Sequence, residues 1–239
     1  MIDRLSARLR PEGSASGSQR WRELLFLHWA VRPERLSSLL PSGLTLDLFE
    51  GQALVGIVPF RMEGVKPRWS PELLAFNFLE TNLRTYVIRD GEPGVYFFSL
   101  EAASRIAVWV ARLGWSLPYF YAEMSLTGPD QRRIYKTQRP HSSEPDLNVE
   151  YRIGEPLPAP EPASLDFFLL ERYLLFTERR GLLWRGQVHH TPYPICEVEI
   201  LSVTQGLSDH SQLIFEETLP LYTHYSPGVD VEVFALTPC

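Results

Sequence analysis

The segment Phe76–Arg89 places side chains capable of chemistry at every second position. Because side chains alternate between the two faces of a strand, a strand here has one face of ordinary core residues. Its other face carries an aromatic residue, an acid, an amide, a base and a phenol: Phe78, Glu80, Asn82, Arg84 and Tyr86. Such a face is either a ladder exposed to solvent or the wall of a pocket that holds one ligand. The two aromatic residues among the polar ones favour the pocket.

Two carboxylates and two arginines in this region have the chemistry to act on a ligand. Glu80 and Glu101, the latter on the next predicted strand, suggest a carboxylate pair in which one raises the pKa of the other. Arg84 or Arg105 is suited to bind a substrate carboxylate through two parallel hydrogen bonds. For each of these residues the alternative is a structural ion pair.

His190 is the third candidate for catalysis. In the predicted strand Leu182–His190 it lies on the apolar face, as either a hydrogen-bonded core residue or an acid–base catalyst. His189 faces the opposite way, so the two histidines cannot chelate one metal ion. No spacing of histidines, cysteines or acids resembles a metal site, and no glycine-rich phosphate loop is present, so no cofactor is expected.

The composition restricts the range of partners. The chain has 239 residues, a net charge of -6 and no basic cluster, which argues against a nucleic-acid partner. No stretch approaches the ~20 apolar residues of a membrane span, and the first residues contain no apolar run of signal-peptide length. We expect a cytoplasmic protein without a membrane partner, acting on a small molecule or on another protein. A homo-oligomer is compatible with the sequence.

Strand patterns dominate the rest of the chain. They predict about ten strands, forming a curved, mostly antiparallel sheet or barrel flanked by two or three helices. The clearest helices are Ala102–Leu113 and Leu165–Phe176. Arg172 interrupts the apolar stripe of the second helix and would need a carboxylate or several carbonyls if buried. We predict a disordered tail over residues 1–20 and a single domain over residues 21–239.

Eight segments together resemble the YqjF-like family, bacterial proteins of unknown function in the acetoacetate decarboxylase-like superfamily. They are HWAV (28–31), LLPSGLTLDLFEG (39–51), VPFRM (58–62), ETNLRTYV (80–87), GVYFFSLEA (94–102), LPYFYAEM (117–124), ERY (171–173) and VHHTPYP (188–194). The resemblance runs from about Trp21 to Pro238. It implies a closed, cone-like antiparallel β-barrel with an internal cavity, which agrees with the strand count.

The resemblance breaks at the residues that carry the chemistry of the acetoacetate decarboxylases. Those enzymes form an imine between a lysine and a keto acid, and an adjacent lysine lowers the pKa of the reactive one. In the similar stretch of this chain, Tyr119 and Phe120 stand where the lysine pair is expected. Lys66 and Lys136 are the chain's two lysines, and neither has a lysine neighbour. The resemblance therefore implies the fold and the cavity, and argues against imine chemistry.

Three functions are compatible with these observations. In the first, the cavity binds a small, largely apolar molecule whose carboxylate or carbonyl is fixed by Arg84. Its walls would be Phe78, Asn82, Tyr86, Tyr96, Tyr119 and Trp184. The second is a lysine-independent enzyme of lyase or hydrolase type, with Glu80 or Glu101 as general acid or base and His190 or Tyr119 as partner. The third is a structural or partner-binding module.

Overall fold

The computed structural model describes residues 2–109 and 117–239, without the side chain of Glu72. Strands account for most of the ordered backbone, as expected. The fourteen strands are β1 (Gly17–Val31), β2 (Thr45–Leu46), β3 (Ala53–Pro67), β4 (Phe76–Arg89), β5 (Glu92–Ala102), β6 (Tyr119–Tyr121), β7 (Glu123–Thr127), β8 (Arg132–Gln138), β9 (Leu147–Leu157), β10 (Leu174–Arg179), β11 (Leu182–His189), β12 (Ile195–Gln205), β13 (Tyr222–Val233) and β14 (Thr237–Pro238). Short α-helices span Pro33–Ser37, Leu165–Leu170 and Leu207–His210, and 3-10 turns span Ser6–Arg8 and Glu72–Leu74.

A closed barrel forms the centre of the fold. Its strands follow the order β11-β10-β5-β4-β3-β1-β13, and β13 pairs again with β11 through Val188↔Val233 and His189↔Glu232. Most neighbours are antiparallel, but β10 pairs with β5 in parallel, and β6 joins β5 in parallel outside the barrel. The expected closed barrel is confirmed, with the correction that its sheet is mixed.

A second layer covers one side of the barrel. Strands β12, β9, β8 and β7 continue the sheet beyond β13. Their apolar residues, among them Tyr135 and Val149, join Leu83 and Ile57 in one buried cluster. A separate buried cluster lies on the inner side of the barrel and includes Tyr86, Phe26 and Phe168. Strand β4 therefore has a buried environment on both faces.

The helix that begins at Leu165 is shorter than the sequence suggested. Ser164 caps it by accepting a hydrogen bond from the Phe167 N–H, but the helix ends at Leu170. The predicted continuation to Phe176 is wrong because Leu174–Arg179 forms β10, which hydrogen-bonds to β5 and β11. Of the predicted helix Ala102–Leu113, residues 105–109 are helical, Ala102 ends β5, and residues 110–113 lie outside the described residues.

The N-terminal residues contact the barrel, contrary to the predicted disorder of residues 1–20. We call residues 3–10 the N-terminal strap. Within it, Arg4 forms an ion pair with Asp47, and the main-chain carbonyl of Ala7 accepts a hydrogen bond from Gln187. Strand β1 already begins at Gly17, where it pairs with β3 and β13. Charge pairing and sheet extension thus order a segment whose composition lacks a strong strand or helix pattern.

Among the residues that the structure describes, no helix is long and apolar enough to cross a membrane.

Candidate functional site

The polar face of β4 lies inside the barrel. Glu80, Asn82 and Arg84 are only 2 %, 6 % and 8 % exposed, and Tyr86 is fully buried. Phe78, at the start of the row, is half-buried and packs against the interior cluster. The alternative of a solvent-facing ladder is therefore wrong. We call Glu80, Asn82, Arg84 and Tyr86 the inner wall.

Arg84 and Tyr86 meet at the end of a helix. The Leu169 carbonyl accepts hydrogen bonds from Arg84 Nη2 at 3.1 Å and from the Tyr86 hydroxyl at 2.8 Å. It is free to do so because the last carbonyls of a helix have no partner within the helix. Tyr86 donates to Leu169, so at 2.8 Å it accepts from His28 Nε2, which must carry the proton. Burial lowers the pKa of His28 well below its usual value, which keeps the ring neutral.

Arg84 has a buried charge without a carboxylate partner. Among the described residues, none places a carboxylate within ion-pairing distance of its guanidinium, and its Nε is buried without a hydrogen-bond acceptor. The guanidinium instead lies 5.6 Å from the ring centroid of Phe26 and 5.8 Å from that of Tyr86. Arg105, the other candidate, is exposed and lies over the Tyr121 ring at 4.1 Å.

Gly56 leaves space for the side chains of His28 and Arg84. It faces Arg84 across the β3–β4 pair. A Cβ at this position would lie 3.0 Å from the His28 ring and 3.7 Å from the Arg84 side chain. A larger residue here would displace the histidine that donates to Tyr86.

Glu80 is a buried acid bonded to a phenol. The hydroxyl of Tyr119 donates to Glu80 Oε2 at 2.7 Å. Burial raises the pKa of Glu80 to about 8, with a smaller contribution from the charge of Glu101, despite the opposing effect of the Tyr119 hydrogen bond. Burial also raises the pKa of Tyr119 well above its usual value. At neutral pH Glu80 therefore holds a proton inside the barrel.

Glu101 does not share the site of Glu80. In the β4–β5 register Glu80 is opposite Ala102, whereas Glu101 is opposite Thr81, so the two carboxyls project from opposite faces of the ribbon. Glu101 is bound by Arg139, whose guanidinium also lies 4.0 Å from the Phe120 ring centroid. Burial raises the pKa of Glu101, and Arg139 counteracts this. The predicted carboxylate pair is thus divided by the sheet, and Glu101 takes the alternative role of a structural ion pair.

Two of the predicted wall aromatics lie elsewhere. Tyr96 is opposite Thr85, on the outer face of the barrel, and packs near Val87. The sequence did not reveal this because β5 has a bulge opposite Leu83 and Arg84, which changes the alternation of its side chains. Trp184 lies where β11 pairs with β14, beneath the guanidinium of Arg179. Tyr96 and Trp184 are therefore not grouped with Arg84. Tyr119 and Tyr86, in contrast, lie on the side of the inner wall.

His190 connects the interior with a surface cleft of about 370 Å³. The cleft is lined by residues of β1, β3, β11 and β13 and includes Lys66, His189 and His190. The His190 ring stacks on Tyr173 at 4.5 Å and contacts Tyr193 at 4.7 Å. Burial lowers the pKa of His190 to about 4. His190 is therefore neutral. It lies between the cleft and the inner wall and is not grouped with Glu80.

Two residues of the cluster were not singled out from the sequence. They are His28, which donates to Tyr86, and Tyr193, which is buried beside Phe26. Both lie in segments that carried the family resemblance, HWAV and VHHTPYP. A histidine or tyrosine in an otherwise apolar segment was the available signal. Neither surface cleft mapped on the described residues includes Glu80, Arg84 or Tyr86.

Comparison with known proteins supports the fold. Residues 18–230 match the family model DUF2071, described as an uncharacterized conserved protein. The chain is 38 % identical over 223 residues to the uncharacterized protein YqjF of Bacillus subtilis, with 92 % of this chain and 91 % of the relative covered.

Two solved structures share the architecture at low sequence identity. One is acetoacetate decarboxylase of Legionella pneumophila, with TM-score 0.68, 16 % identity, and 100 % and 94 % of the two chains covered. The other is the enduracididine biosynthesis enzyme MppR complexed with pyruvate, with TM-score 0.68, 12 % identity, and 95 % and 91 % covered. These similarities show that the barrel is of the acetoacetate decarboxylase type.

Proposed function

The chain belongs to the DUF2071 family, and from its inner wall we propose that it binds a small carboxylate-bearing molecule inside the barrel. The observation that carries the proposal is the buried guanidinium of Arg84, for which the described residues provide no carboxylate. A buried charge is costly unless it is paired. A bound carboxylate would supply the missing charge and accept hydrogen bonds from the guanidinium.

The surroundings of Arg84 suit a small organic acid. Phe26, Tyr193 and Tyr86 provide apolar ring surface around the charged group. Arg84 and Asn82 retain 8 % and 6 % of their surface accessible to water, whereas Leu83 and Tyr86 have none. The structure of similar fold with pyruvate contains a ligand of this class. We propose that the ligand enters through the cleft that includes His190. The His190 ring contacts Tyr193 at 4.7 Å, and Tyr193 packs against Phe26. The Phe26 ring in turn lies 5.6 Å from the Arg84 guanidinium.

Binding of simple acids to an Arg84 variant tests this proposal. Thermal unfolding and calorimetry would be measured with acetate, butyrate and pyruvate, and with butyramide as an uncharged analogue. Carboxylates should raise the melting temperature of the wild type and of Arg105→Met, in which an exposed arginine is replaced. They should leave Arg84→Met unchanged, and butyramide should have no effect. Equal binding to Arg84→Met and the wild type, or no binding of any carboxylate to the wild type, would refute the proposal.

A second candidate function is acid–base catalysis by Glu80 and Tyr119. It is favoured by their 2.7 Å hydrogen bond and by the burial that raises the pKa of Glu80 to about 8, close to the pH at which an acid–base catalyst works best. Neither Glu101 nor His190 is placed to assist. The test follows exchange of the methyl protons of pyruvate with D2O by NMR. Faster exchange with the wild type than with Glu80→Gln would support this candidate, and equal rates would exclude it.

A further inference from the structure

Asn82, in the middle of the inner wall, has a side-chain oxygen that accepts no hydrogen bond from the described residues. Its side chain is 6 % exposed, and its Oδ1 is buried without a partner among the described residues. The residues opposite it on the two neighbouring strands, Val58 and Leu100, are apolar and cannot donate. A buried carbonyl oxygen left without a donor destabilises the folded protein, so its retention calls for an explanation.

Glu80 lies two residues away on the same face. Unlike the Asn82 oxygen, its protonated carboxyl has a hydrogen to donate and needs an acceptor. Its Oε2 accepts the hydrogen bond from Tyr119. With the acid protonated, the other oxygen carries a hydrogen that can be donated. Consecutive residues on one face of a strand are about 7 Å apart, so Glu80 and Asn82 can reach a single group lying between them.

Together, Arg84, Asn82 and Glu80 specify the chemical groups that a ligand of this site must carry. The guanidinium of Arg84 would be neutralised by an anion. The side-chain oxygen of Asn82 requires a hydrogen-bond donor, and the protonated carboxyl of Glu80 requires an acceptor. A hydroxyl group both donates and accepts, so one hydroxyl would satisfy Asn82 and Glu80 simultaneously. A ketone only accepts, and an alkyl group does neither.

We propose that the ligand is a hydroxy acid, whose carboxylate lies at Arg84 and whose hydroxyl donates to Asn82 and accepts from Glu80. This inference rests on the proposed function and specifies the substrate class of the same site. It assigns Asn82 the role of distinguishing hydroxy acids from oxo acids and from unsubstituted acids.

Calorimetric titration with ligands of one carbon skeleton tests the assignment. The four-carbon set is butyrate, acetoacetate and 3-hydroxybutyrate, and the three-carbon set is propionate, pyruvate and lactate. In one set or both, the hydroxy acid should bind the wild type about tenfold more tightly than the oxo acid, the effect of the additional hydrogen bond to Asn82. The preference over the unsubstituted acid, which makes neither hydrogen bond, should be at least as large. In Asn82→Leu the preference over the oxo acid should disappear, because Glu80 can donate to a hydroxyl and to a ketone alike, while butyrate still binds. Asn148→Leu, on outer strand β9, is the matched control and should retain the preference.

The outcomes separate this inference from the proposed function. Equal binding of butyrate and 3-hydroxybutyrate, and of propionate and lactate, would refute the hydroxyl assignment and leave carboxylate binding intact. Tighter binding of acetoacetate or pyruvate would also refute it. If no acid binds, both proposals fail.

A measurement on the unmodified protein covers the case in which Asn82→Leu does not fold. The preference for the hydroxy acid over the unsubstituted acid should decrease as the pH rises through about 8, because Glu80 then loses the proton that it donates. A preference that stays constant from pH 6 to pH 9 would contradict the role given to Glu80.

Discussion

Two buried arginines contact Tyr86 from different surroundings. Arg172 and Arg84 are 7 % and 8 % exposed, and their guanidinium groups lie 4.9 Å and 5.8 Å from the Tyr86 ring centroid. Arg172 forms an ion pair with Asp47 at 2.8 Å and donates to the Phe168 carbonyl at 2.7 Å. Arg84 has the Leu169 carbonyl and no carboxylate among the described residues. The difference lies in the compensating charge, since each guanidinium has one buried nitrogen without a hydrogen-bond partner.

The buried acids repeat this contrast. Glu101 is paired with Arg139 on the outer face, whereas Glu80 on the inner face has a phenol and, within the described part of the chain, no cation. Glu80 and Arg84 are four residues apart along one strand, about 13 Å, so they cannot neutralise each other. The pairs Arg172–Asp47 and Glu101–Arg139 balance their charges, and among the described residues Glu80 and Arg84 have no such partner. The uncompensated charge therefore coincides with the proposed binding site.

The largest expected effect is that of removing the completed pair. Asp47→Asn leaves the charges of Arg172 and Arg4 without their carboxylate in a buried place, so we expect a loss of about 3–5 kcal/mol in the free energy of unfolding. Urea denaturation at pH 7 measures this loss.

Glu80→Gln tests whether the inner acid is uncompensated. The folded state raises the pKa of Glu80 from 4.5 to about 8, so it holds a proton that the unfolded chain has lost between these values. Stability of the wild type should therefore fall as the pH rises from about 5 to 8 and then level off. The glutamine variant lacks this fall and should gain on the order of 5 kcal/mol relative to the wild type by pH 9, since each of the roughly 3.5 pKa units corresponds to about 1.4 kcal/mol.

Glu101→Gln provides the control for this pH series. It leaves Arg139 without its carboxylate, so it should destabilise the protein already at pH 7. A parallel pH dependence in the wild type and Glu80→Gln would mean that another group causes the fall.

Arg84→Met is the counterpart of Asp47→Asn in the other environment. This substitution leaves no carboxylate of the described residues without an ion-pair partner, and methionine is similar in length to arginine. The free energy of unfolding should therefore stay within about 1 kcal/mol of the wild type. Urea denaturation under the same conditions provides the comparison. A loss as large as that of Asp47→Asn would show that Arg84 is a structural arginine and would remove the contrast.

The sequence predicted the elements that depend on local pattern. Alternation in Phe76–Arg89 identified the inner wall, and Arg172 was expected to need a carboxylate or carbonyls, which Asp47 and Phe168 supply. The β-rich fold and the closed barrel also followed, the latter through the family resemblance.

Features that depend on contacts between distant segments could not be predicted. The separation of Glu80 from Glu101 is set by the register of two strands, in which a slip of one residue exchanges the faces. The end of the helix at Leu170 and the turn to β10 are imposed by pairing with β5. The strap is held by ion pairs such as Arg10 with Glu232, 222 residues apart.

The smallest expected effect concerns the strap, and it tests the idea of charge compensation most directly. Arg4 is partly exposed, and Arg172 still neutralises Asp47 without it, so Arg4→Gln should cost at most about 1 kcal/mol. In the Asp47→Asn background Arg4 only adds repulsion toward Arg172, so the same substitution should there be neutral or stabilising. A double-mutant cycle by urea denaturation measures this change of sign. An equal loss in both backgrounds would instead assign the effect of Arg4 to its contact with the Phe168 ring, 4.9 Å away, and would mean that the carboxylate does not hold the strap.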